Sequence, residues 1–427
     1  MHRTKISNGL AVSSRIVLLL IVLVIVLSGF YFARQSGNDS QAYSNDFNVF
    51  YHAAREVLAG RDPYQHSLGE WTPYLYPPLL AILLTPLAVL PLPVAAYVWF
   101  LINAVSWVAT AWMSASLARD GLVLKQPNED GQVGTASAAP FDFSAPLAAV
   151  SLLVVARFVL DNAMLGQVNP LVAALAAAHV YLYSKDRKTA SALALAIAAS
   201  IKLTPVLLIG YHIARRRWKF ASACLGMFVG LTALSFAPFG SGAPDALHEF
   251  VNRTIKNEQG FDLAYAGNQS LRGAIARMTP ATHSETDQGT TESSRRPSDA
   301  VTLLVSLALL VIAMIAASRA RSELLAAAPF VCCFVLLSPL SWKAHLVVLI
   351  LPVASLATEA ARARGSRRSA LIAVLALIFV VFNLTSPHVI GLRAAEWADA
   401  HSLVFLGALI TFAASVYAAN PVLPRRH

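Results

Sequence analysis

Long apolar runs recur along this chain, and they constrain its fold more than any other feature. Three of the longest are Val94 to Leu117, Trp218 to Pro238 and Leu403 to Ala419. Apolar stretches near 20 residues span a bilayer as helices, because the hydrocarbon core offers no partner to an unsatisfied backbone group. The chain has 56% hydrophobic and 13% charged residues, whereas soluble domains carry roughly 25% charged residues. We therefore predict an all-α polytopic membrane protein.

Clusters of Lys and Arg between the apolar runs predict the orientation of the chain. Such residues concentrate in short cytoplasmic loops, so we expect these clusters and both termini in the cytoplasm. The net charge of +10 then reflects membrane orientation and gives no reason to expect a nucleic-acid partner. The clusters are Arg3/Lys5/Arg15, Lys185/Arg187/Lys188, Arg215/Arg216/Arg217/Lys219, Arg319/Arg321, Arg362/Arg364/Arg367/Arg368 and Arg425/Arg426.

This orientation requires two apolar stretches, 189–214 and 324–358, to turn back as hairpins. The first turns near Lys202 and Pro205, and the second turns within residues 338–345, Ser-Pro-Leu-Ser-Trp-Lys-Ala-His. Each leg of the first hairpin is only about 20 Å long, against a hydrocarbon core of about 30 Å. With such legs included, we predict a bundle of about 12 transmembrane or half-spanning helices.

The polar segments divide one integral membrane domain, residues 1–427, into spans and loops. Segment 33–78 is predicted as a first outer loop with an interfacial helix, and segment 239–299 as a large outer loop. Segment 119–144, rich in Gly, Ser, Ala and Gln, is predicted as a flexible cytoplasmic linker. Residues near 283–299 have the composition of disorder.

The first outer loop places Asp46 directly before a predicted amphipathic helix. Phe47, Phe50, Tyr51 and Leu58 recur there at helical spacing. Asp46 is either an N-cap, for which Asp is a preferred residue, or a general base. In the second case desolvation at the membrane boundary makes its carboxylate more basic.

Aromatic and amide side chains supply candidate substrate contacts. Tyr51 is one, and Tyr76 precedes a proline pair. Tyrosines at this depth are typical of the interfacial aromatic belt, although their faces also stack on sugars. Gln167 and Asn169 lie in a tight predicted outer turn. Their amides either satisfy helix ends or hydrogen-bond the hydroxyls of a ligand.

Lys202 is the residue of this chain least compatible with a membrane interior. A charged side chain at that depth needs a partner or access to water, so a functional role is the default interpretation. Pro205 breaks the helix nearby and exposes backbone donors to an anion, for which a phosphate is the natural ligand. The alternative is that the Lys202 ammonium snorkels to an interface.

The second hairpin turn carries Trp342, Lys343 and His345 on the same predicted outer face. An imidazole shares a proton or hydrogen-bonds a phosphate near neutral pH. Trp342 and Lys343 also fit a plain interfacial anchor.

The large outer loop contains Asn268, Gln269 and Arg272 in its last ordered portion. Arg272 has the planar fork that binds phosphate bidentately. Asn268 and Gln269 are candidate substrate contacts, and Asn268 alternatively caps a helix.

The candidate site residues are more informative in combination, at one predicted membrane face, than any one of them is alone. A carboxylate, hydroxyl-binding amides, aromatic surfaces and several cations suit transfer from a lipid-linked phosphate donor to a hydroxyl acceptor. Two alternatives remain open. A transporter or flippase of a lipid-linked sugar would place Lys202 and its broken hairpin along a path. A lipid-pyrophosphate-dependent glycan ligase would call for more arginines on the outer face.

Six motifs in a fixed order resemble glycosyltransferase family 87, across roughly Asp46 to Pro352. That family consists of polyprenyl-phosphate-sugar-dependent membrane enzymes of the GT-C class. The motifs are D-F-x-x-F-Y-x-A-A-x-x-V-L-A-G-R-D-P-Y, Y-P-P-L-L-A-I-L-L-T-P-L, G-Q-V-N, K-L-T-P, N-Q-S-L and S-P-L-S-W-K-A-H.

The resemblance implies an inverting transferase with a GT-C type bundle in a bacterial inner membrane. It implies transfer of a hexose, mannose in known members, from a polyprenyl-phosphate donor to a lipid or glycan acceptor at the periplasmic or extracellular side. Asp46 matches the residue that deprotonates the acceptor hydroxyl, and His345 a polar position of the S-P-x-S-W motif. Lys202 and Arg272 match donor-phosphate binding. The sequence contains no Asp-x-Asp pair, and this leaving group needs no metal, so we expect no cofactor.

Overall fold

The structure, a computed structural model, describes residues 23–37, 45–64, 73–122, 125–127, 133–135, 144–255, 262–279 and 296–420. Helices account for nearly all the regular structure there. Several predicted features fall wholly or partly outside these ranges, namely the start of the first apolar run at Ile16, both termini with the basic clusters Arg3/Lys5/Arg15 and Arg425/Arg426, much of the linker 119–144 and most of the disorder near 283–299.

Most of the helices follow the predicted apolar runs. Two short strands form an antiparallel hairpin inside the predicted linker 119–144. In chain order, the elements are α1 (23–36), α2 (Asp46–Leu58), α3 (Pro78–Leu83), α4 (Thr85–Ala88), α5 (Leu92–Leu122), β1 (Lys125–Pro127), β2 (Val133–Thr135), α6 (Ser144–Val154), α7 (Ala156–Leu165), α8 (Asn169–Ser184), α9 (Lys188–Ile201), α10 (Leu208–Ala214), α11 (Trp218–Phe236), α12 (Ala243–Phe250), α13 (Leu271–Met278), α14 (Arg296–Arg319), α15 (Glu323–Leu336), α16 (Ile350–Arg362), α17 (Gly365–Phe379), α18 (Pro387–Ile390), α19 (Leu392–Ala400) and α20 (Leu403–Ala419).

Five helical segments in the described ranges are long and apolar enough to cross a membrane. Two bent helix pairs raise that number to 7, namely α6 with α7 at 68° and α19 with α20 at 55°. Three further apolar helical segments are shorter than a span, as the half-spanning legs predict. The polytopic helical architecture is confirmed, but the predicted number of about 12 is not. The five are Leu92–Arg119, Trp218–Thr254, Asp299–Arg319, Lys343–Arg362 and Gly365–Leu384.

The break at Lys202 occurs where the sequence predicts it. Helix α9 ends at Ile201, and Lys202 itself is extended, with φ −145° and ψ 127°. A single 3-10 turn, Thr204–Leu207, then leads into α10. Pro205 has no N–H to give to a continuing α-helix. The lysine therefore lies at a corner of the chain rather than on the flank of a continuous helix.

Helices α15 and α16 form the centre of the bundle. From Leu324 to Leu336, every residue of α15 is buried, and the span Lys343–Arg362 is 89% buried. Helix α16 packs against α5, α6, α15, α17 and α20, and α5 packs against α8. The 338–345 turn between α15 and α16 is thereby fixed beside the start of α8, and this positions the candidate site.

Candidate active site

Asp46 is the first residue of α2, and the preceding residue caps that helix. The Asn45 side chain accepts a hydrogen bond of 3.0 Å from the backbone N–H of Asn48. The interpretation of Asp46 as the N-cap is therefore wrong. Its Oδ2 instead accepts a hydrogen bond from Nε2 of Gln167, a residue 121 positions later in the chain.

The turn that carries Gln167 approaches Asp46 closely because it contains Gly166. Gly166 ends α7 in the left-handed region, with φ +62°, which suits glycine. A Cβ there would lie 2.5 Å from the Phe32 ring and 2.8 Å from Cβ of Phe47. Trp99 donates from Nε1 to the Gly166 carbonyl at 2.7 Å. Helix α5 thus anchors the turn against the start of α2.

We expect Gly166→Ala to destabilise the protein more than Gly60→Ala. Both glycines have positive φ, but nothing lies within 4 Å of a Cβ added at Gly60. Backbone strain alone costs about 1 kcal/mol, and forcing a methyl group into a packed site adds about 1 to 3 kcal/mol. Thermal unfolding of the two variants in detergent measures the difference. Equal falls in melting temperature would show that the close approach is unimportant.

Asn169 connects this turn to Lys202. The Lys202 ammonium donates to Oδ1 of Asn169 at 2.7 Å, while Nδ2 of Asn169 contacts Oε1 of Gln167 at 3.4 Å. Among the described residues, Asn169 is the acceptor recorded for the ammonium, which has three N–H donors in all. Lys202 therefore lies at one end of a line of two amides, and Asp46 lies at the other end.

His345 reaches the same region through Asn162. The Nδ2 group of this buried amide donates to the carbonyl of Ala344 at 2.6 Å, and its Oδ1 accepts from Asn169 at 3.2 Å. The His345 side chain follows directly after Ala344 and is 8% exposed. The structure thus joins four predicted site residues, and it places the turn that carries a fifth, His345, beside them. The four are Asp46, Gln167, Asn169 and Lys202.

The surroundings of Asp46 make it a stronger base than an ordinary aspartate. Burial disfavours the charged carboxylate and raises the pKa of Asp46 from 3.8 to about 6. The hydrogen bond from Gln167 and the charge of Lys202 oppose this rise. Among the described residues, no donor is recorded for Oδ1 of Asp46. That oxygen remains available to a substrate.

The two predicted tyrosine contacts lie near the site in different ways. Tyr76 points its hydroxyl at Oε1 of Gln167, 3.5 Å away, and its ring packs edge-on against Phe50. Tyr51 is 5% exposed, and its hydroxyl donates to the Leu90 carbonyl at 2.7 Å. Tyr76 borders the amide line, whereas Tyr51 ties α2 to the segment before α5.

Three predicted contacts near the second turn and in the large loop are engaged with other residues. Lys343 forms an ion pair of 2.6 Å with Asp399. Arg272 forms one of 2.9 Å with Asp299 and is partly exposed. The Trp342 ring packs edge-on against Tyr265. None of these contacts involves Asp46, so the structure does not join these three residues to the amide line.

Asn268 and Gln269 are buried and hold the large loop in place. Asn268 accepts from the backbone N–H of Ser341 at 3.0 Å, and Gln269 accepts from that of Phe405 at 3.0 Å. The interpretation of Asn268 as a helix cap is wrong, because Ser270 caps α13 through the N–H of Gly273. Both amides serve as structural ties between the loop and its neighbours.

Sequence reasoning missed several residues that build the site. Asn103 donates to the Gln167 carbonyl at 3.0 Å, and Asn162 joins the two turns. The available signal was an amide side chain inside an otherwise apolar helix. A buried amide normally has hydrogen-bond partners, so its presence there indicates a contact with another polar group. Asp399, the partner of Lys343, lay in the short segment between the last two apolar runs.

Taken together, fold and site define a multispan helical membrane protein in which two buried amides link a carboxylate to a lysine. The chain belongs to glycosyltransferase family 87, whose model matches residues 74–339. The match includes Tyr76, Gln167, Asn169 and Lys202 but stops short of both Asp46 and His345.

Two curated relatives resemble part of the chain. One is the polyprenol-phosphate-mannose-dependent alpha-(1-2)-phosphatidylinositol mannoside mannosyltransferase of Mycobacterium tuberculosis, 25% identical over 248 residues, which cover 56% of this chain and 54% of that protein. The other is the polyprenol-phosphate-mannose-dependent alpha-(1-2)-phosphatidylinositol pentamannoside mannosyltransferase of Mycolicibacterium smegmatis. It is 26% identical over 206 residues, which cover 48% of this chain and 44% of that protein. The chain spans about half the length of these relatives.

Proposed function

We propose that this protein transfers a hexose, the mannose named for its relatives' donors, from a polyprenyl phosphate to a hydroxyl of a lipid or glycan acceptor. The observation that carries the proposal is that two amides link a part-buried carboxylate to a part-buried lysine. Asp46 and Lys202 lie at the two ends of the line formed by Gln167 and Asn169.

Asp46 is the proposed general base. Its raised pKa suits removal of a proton from a hydroxyl near neutral pH. The hydrogen bond from Gln167 fixes one carboxylate oxygen, which leaves Oδ1 to accept the proton. Because the carboxylate is held by a packed turn, it is oriented before the acceptor arrives.

Lys202 and His345 are the proposed partners of the donor phosphate. The bond from the anomeric carbon to the phosphate oxygen breaks, and its electron pair leaves with the polyprenyl phosphate. The negative charge on that oxygen grows in the transition state, where a fixed cation stabilises it. The contact of Lys202 with Asn169 holds the ammonium in place for this purpose.

A single displacement follows from this arrangement. The acceptor oxygen attacks the anomeric carbon as Asp46 takes its proton, and the phosphate departs toward Lys202. Attack and departure on opposite faces of that carbon invert its configuration. No covalent sugar intermediate on the protein is needed.

The site is proposed to lie on the periplasmic or extracellular side of the inner membrane, within a GT-C type bundle. Helix α8 has Asn169 at its first residue, and the basic cluster Lys185/Arg187/Lys188 follows its end. The segment Lys343–Arg362 similarly runs from His345 to the basic residues that follow α16. Positive residues mark the cytoplasmic side, which supports an external site and cytoplasmic termini.

A reconstituted transfer assay tests the proposed activity. Purified protein in liposomes is incubated with radiolabelled polyprenyl-phosphate-mannose and a total lipid extract, and label in new glycolipid is measured. We expect label to leave the polyprenyl phosphate for an acceptor. Movement of the donor across the bilayer without any transfer would instead indicate a transporter.

The rate of transfer is expected to depend on pH through Asp46. Only the carboxylate form accepts a proton, so kcat/KM rises with pH through about 6 and then levels off. At one pH unit below that pKa, the rate is about tenfold below its plateau. Initial rates from pH 4.5 to 8 measure this profile. A rate that instead falls as pH rises through this range would contradict the base assignment.

A further inference from the structure

A cavity of about 1150 Å³ lies beside the Asp46 site without containing it. Its walls come from α1, α7, α18 and the segment before α18, with Phe100 of α5, and Asn45 borders it. Lys202 and His345 are not among its lining residues. The cavity therefore meets the site next to the carboxylate rather than next to the proposed phosphate site.

The apolar wall of this cavity faces the surroundings of the bundle. Leu27, Leu160, Met164 and Val389 line it, and each is more than half exposed. In a membrane protein, exposed apolar side chains at the flank of a bundle contact lipid tails. The cavity also exceeds the roughly 300 to 1,000 Å³ of most small-molecule sites. Its size and wall suit the chains of a lipid.

Arg157 and Asp161 give the cavity a charged floor. Arg157 is 8% exposed, and its guanidinium donates to Oγ1 of Thr385 at 2.9 Å and to the Phe382 carbonyl at 3.4 Å. No carboxylate in the described residues lies within ion-pair distance of it, and Asp161 one turn later receives no recorded hydrogen bond there. The remaining guanidinium donors suit a phosphate, and the carboxylate suits hydroxyl groups.

We infer that this cavity binds the lipid anchor of the acceptor, with an anchor phosphate at Arg157 and headgroup hydroxyls at Asp161. The inference rests on the proposed function, because a base must contact the acceptor. The cavity borders Asn45 on the Asp46 side, whereas the donor phosphate is assigned to Lys202.

The distance along α7 constrains the acceptor further. Arg157 and Leu165 lie about 12 Å apart along the helix at ~1.5 Å per residue, and Gln167 follows just beyond. An acceptor whose phosphate rests at Arg157 therefore needs an extended headgroup to present a hydroxyl to Asp46.

Lipid binding by native mass spectrometry tests this assignment without requiring transfer. The probes are phosphatidylinositol, phosphatidylcholine and polyprenyl phosphate, each added to the purified full chain. We expect Arg157→Gln to weaken phosphatidylinositol binding about tenfold, because hydrogen bonds to a charged phosphate are lost. Binding of polyprenyl phosphate is expected to stay unchanged. Arg61→Gln, at an exposed arginine that pairs with Glu56, is the matched control and is expected to change neither.

A second variant keeps the test decisive if Arg157→Gln fails to fold. Leu160→Trp enlarges an exposed wall residue and narrows the cavity, so it is expected to weaken phosphatidylinositol binding as well. Unchanged binding in both variants overturns the inference, as does a loss confined to polyprenyl phosphate. Absence of transfer together with Arg157-dependent phosphatidylinositol binding would remove the proposed activity but keep this lipid site.

Discussion

Asp46→Asn is expected to lower the transfer rate by about 10² to 10⁴-fold, the usual contribution of a positioned general base. The substitution keeps the size of the side chain and an oxygen for the hydrogen bond from Gln167. It removes only the capacity to take a proton. The fall should appear in kcat, because the proton moves in the transition state.

Asp62, which lies in the same predicted outer loop as Asp46, provides the control for Asp46. Asp62 accepts a hydrogen bond of 2.8 Å from the backbone N–H of Tyr64, and an asparagine accepts the same bond. Asp62→Asn is therefore expected to retain transfer. Initial rates with radiolabelled donor, and melting temperatures of both variants, make the comparison. Wild-type rates in folded Asp46→Asn protein would exclude its role as the base.

Lys202→Met is expected to lower kcat by about 10² to 10³-fold, as does the loss of one preorganised charge partner in other active sites. Methionine preserves the unbranched shape of the side chain, but it has no charge to offer the departing phosphate. It also leaves Oδ1 of Asn169 without its 2.7 Å donor. Inhibition by free polyprenyl phosphate is expected to weaken in parallel.

Lys188, the first residue of α9, supplies a matched control for Lys202. Its exposed ammonium pairs with Asp186 at 3.0 Å. Surface ion pairs contribute little, so Lys188→Met is expected to leave transfer unchanged. If Lys202→Met changed only the KM of the acceptor, the donor-phosphate role would be wrong.

The spans and their breaks could be predicted from sequence because they depend on local composition. The apolar runs correspond to helices, and the corner at Lys202 follows from a proline that lacks an N–H. The gathering of distant polar motifs was predictable in outline, since the basic clusters place the intervening turns on one side. The number of complete spans was not, because short and bent helices fall between a span and a loop.

The partners of individual side chains could not be predicted, since they depend on tertiary proximity. Asn45 and Asp46 are both preferred N-cap residues, and nothing near them in sequence shows that the Asp46 carboxylate contacts Gln167. Lys343 looked as free as Lys202, yet Asp399 neutralises it. Asn162 was missed because its importance comes from two turns that meet only in the folded bundle.

The line of carboxamides between Asp46 and the His345 turn has one more consequence. Amide groups donate and accept hydrogen bonds, but they do not ionise in the physiological range. This line of side-chain amides is therefore not expected to conduct protons. A proton taken up by Asp46 is therefore expected to pass directly from Asp46 to bulk water before the next turnover. It is not expected to pass along the amides to His345.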